Sequence, residues 1–197
     1  MISILDYGAG NLRSVSNTLD ALGFEFEIVQ SAAGLARASR IVLPGVGHFG
    51  QMMRALDEMA VRATLVDRIQ GGVPFLGICL GLQALLQSSE EAPEVRGLGI
   101  FAGQVRRFQP PLRVPHMGWN QVASLRPSRL FDGAPHFYFA NSYYAPIIPA
   151  TAAVADYGEP FTAAIEHENI FAVQFHPEKS GPAGLDVMRR FAELPEC

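Results

Sequence analysis

Val73-Pro-Phe-Leu-Gly-Ile-Cys-Leu-Gly-Leu-Gln83 is the stretch on which the fold turns. Its apolar run, interrupted by glycine, leads into Cys79, and residues 80–87 continue as a helix-forming segment. A short apolar run beside a helical segment reads as a buried parallel strand feeding a helix. Gly77 and Gly81 stand two residues to either side of Cys79. This is the thiol form of the nucleophile elbow, in which small residues let strand and helix approach while one strained residue projects its side chain. A thiol at a helix N-terminus has its thiolate favoured by the helix dipole. The competing reading is a buried structural cysteine.

Outward from the elbow, the first half alternates strand and helix. Residues 2–5 form a short strand, Asp6-Tyr-Gly-Ala-Gly10 a tight turn, and Asn11 caps a helix running to about Leu22. Leu12, Val15, Leu19 and Leu22 make its apolar face, and Gly23 ends it. Strands over 24–29 and 40–43 follow, the latter stopping at Pro44-Gly-Val-Gly47, with helices over 49–59 and 61–70 before the elbow strand. This order predicts a mostly parallel central sheet flanked by helices. Beyond Ser88 the rhythm changes. Prolines and glycines punctuate strands over 100–108, 119–124, 137–139, 152–157, 161–166 and 170–175, with little helix between them. These read as added, partly antiparallel strands, and a helix over 186–193 closes the chain. The expected class is α/β, in one domain spanning 1–197.

Bulk properties narrow the function. With 197 residues the chain is long enough for one substantial core. It is 49% hydrophobic and only 17% charged, which suggests a surface covered by a partner. A net charge of −4 argues against nucleic acid. No apolar run has membrane-spanning length, and Met1-Ile-Ser-Ile-Leu-Asp6 lacks the basic start of a secretion signal. Cys79 and Cys197 are one placed thiol and one stray one, not a disulfide framework, so a reducing cytoplasm is expected.

A nucleophilic thiol needs a base, and the base an orienting group. Of the five histidines, His176 lies in Gln174-Phe-His-Pro-Glu178, at the end of an apolar strand. Pro177 fixes the backbone there, and Glu178 is placed to accept a hydrogen bond from one ring nitrogen while the other faces the thiol. A surface His-Pro-Glu turn is the alternative. Pro44-Gly-Val-Gly47 ends a strand of the same sheet and is a source of freely oriented backbone N–H groups for an oxyanion. Each such donor contributes about 2.7–4 kcal/mol. Taken by itself the segment also reads as an ordinary strand-ending turn.

Together, in this order, Pro44-Gly-Val-Gly47, Gly77-Ile-Cys-Leu-Gly-Leu-Gln83 and Gln174-Phe-His-Pro-Glu178 resemble the signature of class I (triad) glutamine amidotransferases. Asp6-Tyr-Gly-Ala-Gly-Asn11, Pro44-Gly-Val-Gly-His-Phe49, Pro115-His-Met-Gly-Trp-Asn120 and Phe175-His-Pro-Glu-Lys-Ser180 resemble, within that family, the glutaminase subunits of imidazole glycerol phosphate synthases. The resemblance runs from Asp6 to Ser180. One departure is Asn141, where the family usually has histidine; it leaves the triad untouched.

The resemblance implies that Cys79 attacks the side-chain amide of L-glutamine, with His176 relaying protons and Glu178 holding it. It assigns the oxyanion to backbone N–H groups of Gly45, Val46, Gly47 and Leu80, and the amino-acid end of glutamine to Gln83 and the Ser142-Tyr143-Tyr144 backbone. It implies no metal and no cofactor. The family's partner is a (βα)8-barrel cyclase subunit, forming a heterodimer, which takes ammonia through its core to the nucleotide PRFAR in histidine biosynthesis. Asn11, Met117, Trp119, Tyr138 and Lys179 are the expected junction residues; for Trp119 and Tyr138 plain core packing is the alternative. Three rival readings remain. A related cysteine hydrolase and chaperone-like family usually lacks the late His-x-Glu pair. A degenerate, purely regulatory relative would not need Cys79, His176 and Glu178 intact. A glutaminase of anthranilate or aminodeoxychorismate synthase is the third, and the Pro115–Asn120 segment weighs against it.

Overall fold

The computed structural model of the protein describes residues 1–9 and 11–195. Gly10, which closes the expected first turn, and Cys197, the expected stray thiol, lie outside the described residues. The first half runs β1 (Ile2–Leu5), α1 (Leu12–Leu22), β2 (Phe26–Val29), α2 (Ala32–Arg37), β3 (Arg40–Gly45), α3 (Phe49–Glu58), α4 (Arg62–Gln70), β4 (Phe75–Cys79) and α5 (Leu80–Gln83). Then come β5 (Leu86–Ser89), β6 (Phe101–Arg107), β7 (His116–Gln121), β8 (Ala123–Ser124), β9 (His136–Asn141) and β10 (Tyr143–Tyr144). The chain finishes with β11 (Thr151–Asp156), β12 (Pro160–His167), β13 (Ile170–Val173), a 3-10 turn (Pro177–Lys179) and α6 (Gly181–Glu193).

The central sheet has the order β2-β1-β3-β4-β13-β12-β11-β8. Its first five strands are parallel, and β12, β11 and β8 extend it antiparallel. Parallel strands between two helical layers are apolar on both faces. In β3, Ile41 and Leu43 join the core under α3 and α4, with Phe49, Met52 and Leu65, while Val42 between them joins the opposite core. That second core is aromatic: Phe137, Phe139, Phe161, Phe171 and Phe175 lie with Val15 and Leu19 of α1 and Phe191 of α6. Two smaller sheets, β10-β6-β5 and the antiparallel ribbon β7-β9, flank this frame.

Three expectations change. The helix expected over 80–87 ends at Gln83, and Leu86–Ser89 is strand β5, because Leu86 pairs with Phe101 of β6 and tertiary pairing overrides local propensity. Helix α2, not anticipated from the sequence, is capped by Ser31, whose hydroxyl accepts from Gly34 N at 3.2 Å. Helix α6 starts at Gly181 rather than 186, with Pro182 in its first turn, where proline's missing N–H is no loss.

Backbone proximity positions the site. A Cβ on Gly81 would lie 2.2 Å from Leu43 O, and one on Gly77 would lie 2.6 Å from Gly81 O. The first turn of α5 thus rests on the backbone of β3 with no space for a side chain. Gly81→Ala is expected to destabilise the fold by about 1–3 kcal/mol through overpacking. Denaturant unfolding measures it, and a stability equal to the unsubstituted protein would show that the contact is not tight.

Candidate active site

Three neighbouring strands deliver the pieces. Strand β4 lies between β3 and β13, with Gly45 opposite Cys79 on one side and Val173 opposite Ile78 on the other. The residues that follow β3, β4 and β13 therefore meet at one edge, the carboxyl ends of the parallel strands where α/β sheets form their crevices. Cys79 sits at φ 53°, ψ −104°, the strained conformation an elbow imposes on its central residue, and only 6% of it is exposed. Because α5 is a single turn, the long helix dipole expected behind the thiol is absent. Gln174 Nε2 donates to Cys79 Sγ at 3.4 Å instead.

His176 follows β13 and is 2% exposed. Its Nδ1 lies 2.9 Å from Glu178 Oε1, and Cys79 lines the same cavity close enough for its charge to act on the ring. Burial alone would lower the imidazole pKa, but the charges of Cys79 and Glu178 outweigh it and push His176 up. Burial alone would raise the Glu178 carboxyl, and hydrogen bonds from His176 and Asn11 outweigh it and hold the group below its usual range. The turn is clamped in place. His176 N donates to Tyr138 O at 2.8 Å, the Ser180 hydroxyl donates to His176 O at 2.6 Å, and Tyr138 N donates to Ser180 Oγ at 2.9 Å. A Cβ on Gly184 would lie 1.9 Å from Pro177 O, so α6 presses directly on this turn.

The cavity at this edge measures about 270 Å³. Val46, Gly47 and Leu80 line it, whereas Gly45 does not. Gly45 is the last residue of β3, and a Cβ there would lie 2.6 Å from Leu80 Cβ, so its role is close packing. Gly47 has φ +96°, and Val46 O accepts a long hydrogen bond of 3.5 Å from the Tyr7 hydroxyl. Gln83, Ser142 and Tyr143 line the cavity, and Tyr144 does not. Tyr144 is buried and stacks on Phe108 at 4.5 Å between ring centres, so its side chain belongs to the core. Gln83 Nε2 donates to Tyr143 O at 2.8 Å and to Gln174 Oε1 at 3.0 Å. This bridge ties α5 to both the rim and the residue that donates to the thiol.

Three lining residues had no assigned part: Ala140, Glu91 and Asn141. Glu91 reaches the cavity from the segment after β5, and its Oε2 accepts from Phe49 N, the first residue of α3, at 2.7 Å. The Glu90-Glu91 pair was its only signal in the sequence. Asn141, the departure from the family pattern, is 5% exposed, lines the cavity and donates from Nδ2 to Tyr143 O at 3.0 Å, while its Oδ1 has no partner.

The expected junction residues fall into two groups. Met117 is 64% and Trp119 56% exposed, and Trp119 meets Tyr138 edge-on across β7-β9, so plain core packing does not account for Trp119. Exposed Lys179 stands at the cavity rim. Asn11 differs: its side chain does not cap α1 but donates from Nδ2 to Glu178 Oε1 at 3.0 Å. Among the described residues no cluster of three or more His, Cys, Asp or Glu is placed to hold a metal ion. A buried thiol, an imidazole beside it and a carboxylate behind the imidazole form an arrangement suited to acyl transfer through a thioester.

Comparison with known proteins gives a consistent picture. The family described as glutamine amidotransferase class-I matches residues 3–194. The chain is 51% identical over 197 residues to the imidazole glycerol phosphate synthase subunit HisH of Methanothermobacter thermautotrophicus, covering 98% of each protein. It is 48% identical to the subunit of the same name from Thermus thermophilus, covering 97% of this chain and 98% of that one. A solved glutamine amidotransferase shares the fold with a TM-score of 0.77 at 20% identity, over 98% of this chain and 99% of the other. Residues that act as one unit give strongly non-additive losses. His176→Ala and Glu178→Ala should each slow glutamine hydrolysis, and the double variant should be scarcely slower than His176→Ala. Steady-state kinetics decides this, and losses in log rate that simply add would contradict it.

Proposed function

The chain belongs to the class I glutamine amidotransferases, and on that premise we propose that it is the glutaminase subunit of an imidazole glycerol phosphate synthase. The observation that carries the mechanism is the buried His176 Nδ1–Glu178 Oε1 bond of 2.9 Å beside the strained thiol of Cys79. In this reading the Cys79 sulfur attacks the carboxamide carbon of L-glutamine. The oxygen becomes an oxyanion, held by backbone N–H groups of Leu80 and of the Val46-Gly47 segment. His176 gives its proton to the departing nitrogen, ammonia leaves and a thioester remains. Water, deprotonated by His176, then attacks the thioester, releasing glutamate and restoring the thiolate. Throughout, Glu178 holds the imidazole in one tautomer and orientation.

The cavity's polar groups suit the other end of the substrate. The Glu91 carboxylate is the matching charge for the α-ammonium, Gln83 Oε1 is left to accept from it, and the Ser142-Tyr143 backbone lies alongside. The chemistry uses no metal or organic cofactor, and the whole chain acts as one domain.

Ammonia is useful to an acceptor only unprotonated, so a glutaminase of this kind must discharge into a partner that excludes water. The outward face of β7-β9 carries Met117, Trp119 and Tyr138 beside Ala140 and Lys179 of the cavity rim. An exposed apolar patch with a basic rim suits a docking surface. The partner in this reading is a (βα)8-barrel cyclase. The two chains form a cytoplasmic heterodimer, converting PRFAR to imidazole glycerol phosphate and AICAR. No helix among the described residues is long and apolar enough to cross a membrane.

The segment after β3 supports control by that partner. Gly47 follows Val46 with open space around it, and the contact from Tyr7 to the Val46 carbonyl is at the outer limit of hydrogen bonding, so the Val46–Gly47 peptide can turn at small cost. An oxyanion donor that points away costs about 10²–10³ in rate. Glutamate release is expected to be slow for the isolated chain, faster with the cyclase and fastest with cyclase plus acceptor nucleotide. Equal rates under all three conditions would refute the reading.

A further inference from the structure

Asn11 stands at the start of α1, a position where an asparagine side chain ordinarily accepts from the helix's free N–H groups. Here it makes no such bond. Its carbonyl oxygen, Oδ1, accepts from the Ser14 hydroxyl at 2.6 Å, and its amide nitrogen, Nδ2, donates to Glu178 Oε1 at 3.0 Å. The carboxylate fixes which end of the amide is which: it can only accept, so Nδ2 must face Glu178, and Oδ1 is left to accept from the Ser14 hydroxyl. Glu178 Oε1 thus accepts from His176 and from Asn11, while Glu178 Oε2 is buried with no hydrogen-bond partner. A buried carboxylate with so few donors depends heavily on each of them.

From this convergence on a single oxygen, and resting on the triad reading above, we infer that Asn11 is a positioning residue. It holds Glu178 charged and oriented so that the carboxylate can hold His176. Asn11 does not line the substrate cavity, so it acts through Glu178 and not on glutamine. The hydrogen-bonded line Ser14–Asn11–Glu178–His176 joins a helix on one face of the sheet to the imidazole that shares the cavity with Cys79. The elements packed against the turn carry Arg13 and Asp20 on α1, His136 and Tyr138 on β9, and Asp186, Arg189, Arg190 and Glu193 on α6, with Lys179 on the turn itself. None hydrogen-bonds the Glu178 carboxylate, and the first turn of α6, residues 181–184, carries no ionisable group. This role is distinct from contact with the partner. It makes Asn11 matter to the thiol's chemistry whether or not a second subunit is present.

The test compares the full chain, bound to its cyclase, carrying Asn11, Asn11→Ala or Ser14→Ala, each in the Glu178 and Glu178→Gln backgrounds. A hydrogen bond to a buried charged group is typically worth about tenfold or more in an equilibrium. Asn11→Ala is expected to lower kcat for glutamine hydrolysis by about tenfold with KM unchanged. Removing a donor raises the carboxylate's pKa, so the acid limb of the rate profile should move to higher pH. Ser14→Ala, which removes the bond anchoring the amide oxygen, should move both readouts in the same direction by less. In the Glu178→Gln background Asn11→Ala should add nothing. An unmoved acid limb and unchanged kcat, with weakened cyclase binding, would overturn the inference and leave Asn11 a contact residue. Losses that add in the Glu178→Gln background would overturn it as well. An unsubstituted complex without glutaminase activity would overturn the triad reading and this inference with it.

Discussion

The site depends on the contact between the backbone of β3 and the first turn of α5. Gly81 can rest on Leu43 only because it has no side chain, and Gly45 can face Leu80 for the same reason. With α5 seated there, the chain must reverse sharply at Cys79, which explains its φ of 53°. The strain is local and the frame around it is rigid: β4 is buried along its whole length between two parallel neighbours. A strained residue persists only where its surroundings over-determine it, and here glycine contacts on both sides do so.

The same strand order explains why the other groups arrive. Strand β13 is the neighbour of β4 on the side away from β3, so the chain leaving it at Gln174 passes the thiol before the turn that carries His176 and Glu178. That turn is then pinned from three directions: by Ser180 and Tyr138 of β9, by Gly184 of α6 and by Asn11 before α1. Catalytic geometry in this reading is a property of packed elements and not of a loop. Polar groups on the opposite side of the cavity are fixed in the same way, Glu91 by the free N–H at the start of α3 and Gln83 by Tyr143 O.

What the sequence disclosed follows the range of the interactions. The elbow, the glycine segment after β3 and the His-Pro-Glu turn are each contiguous, so composition and spacing reveal them, and strand–helix alternation reveals the parallel sheet. Contacts between distant residues were not legible. Asn11 meets Glu178 across 167 positions and Gln174 meets Cys79 across 95, and neither pairing leaves a local pattern. The helix read over 80–87 failed for a related reason: Leu86 to Ser89 pair with β6, residues that the local pattern could not place beside them. The resemblance assigned the Tyr144 backbone to glutamine together with those of Ser142 and Tyr143; Tyr144 does not line the cavity, and because a strand sends successive side chains to opposite faces its ring lies in the core.

The central claim is that Cys79 is the atom-bearing nucleophile of a thioester mechanism. The most direct measurement is rapid acid quenching of the chain in complex with its cyclase during glutamine turnover, followed by mass spectrometry of the peptide that carries Cys79. The account predicts a glutamyl adduct on Cys79 that forms before steady state and disappears when glutamine is exhausted. Steady glutamate release with Cys79 unmodified at every time point, or an adduct on another residue, would contradict it.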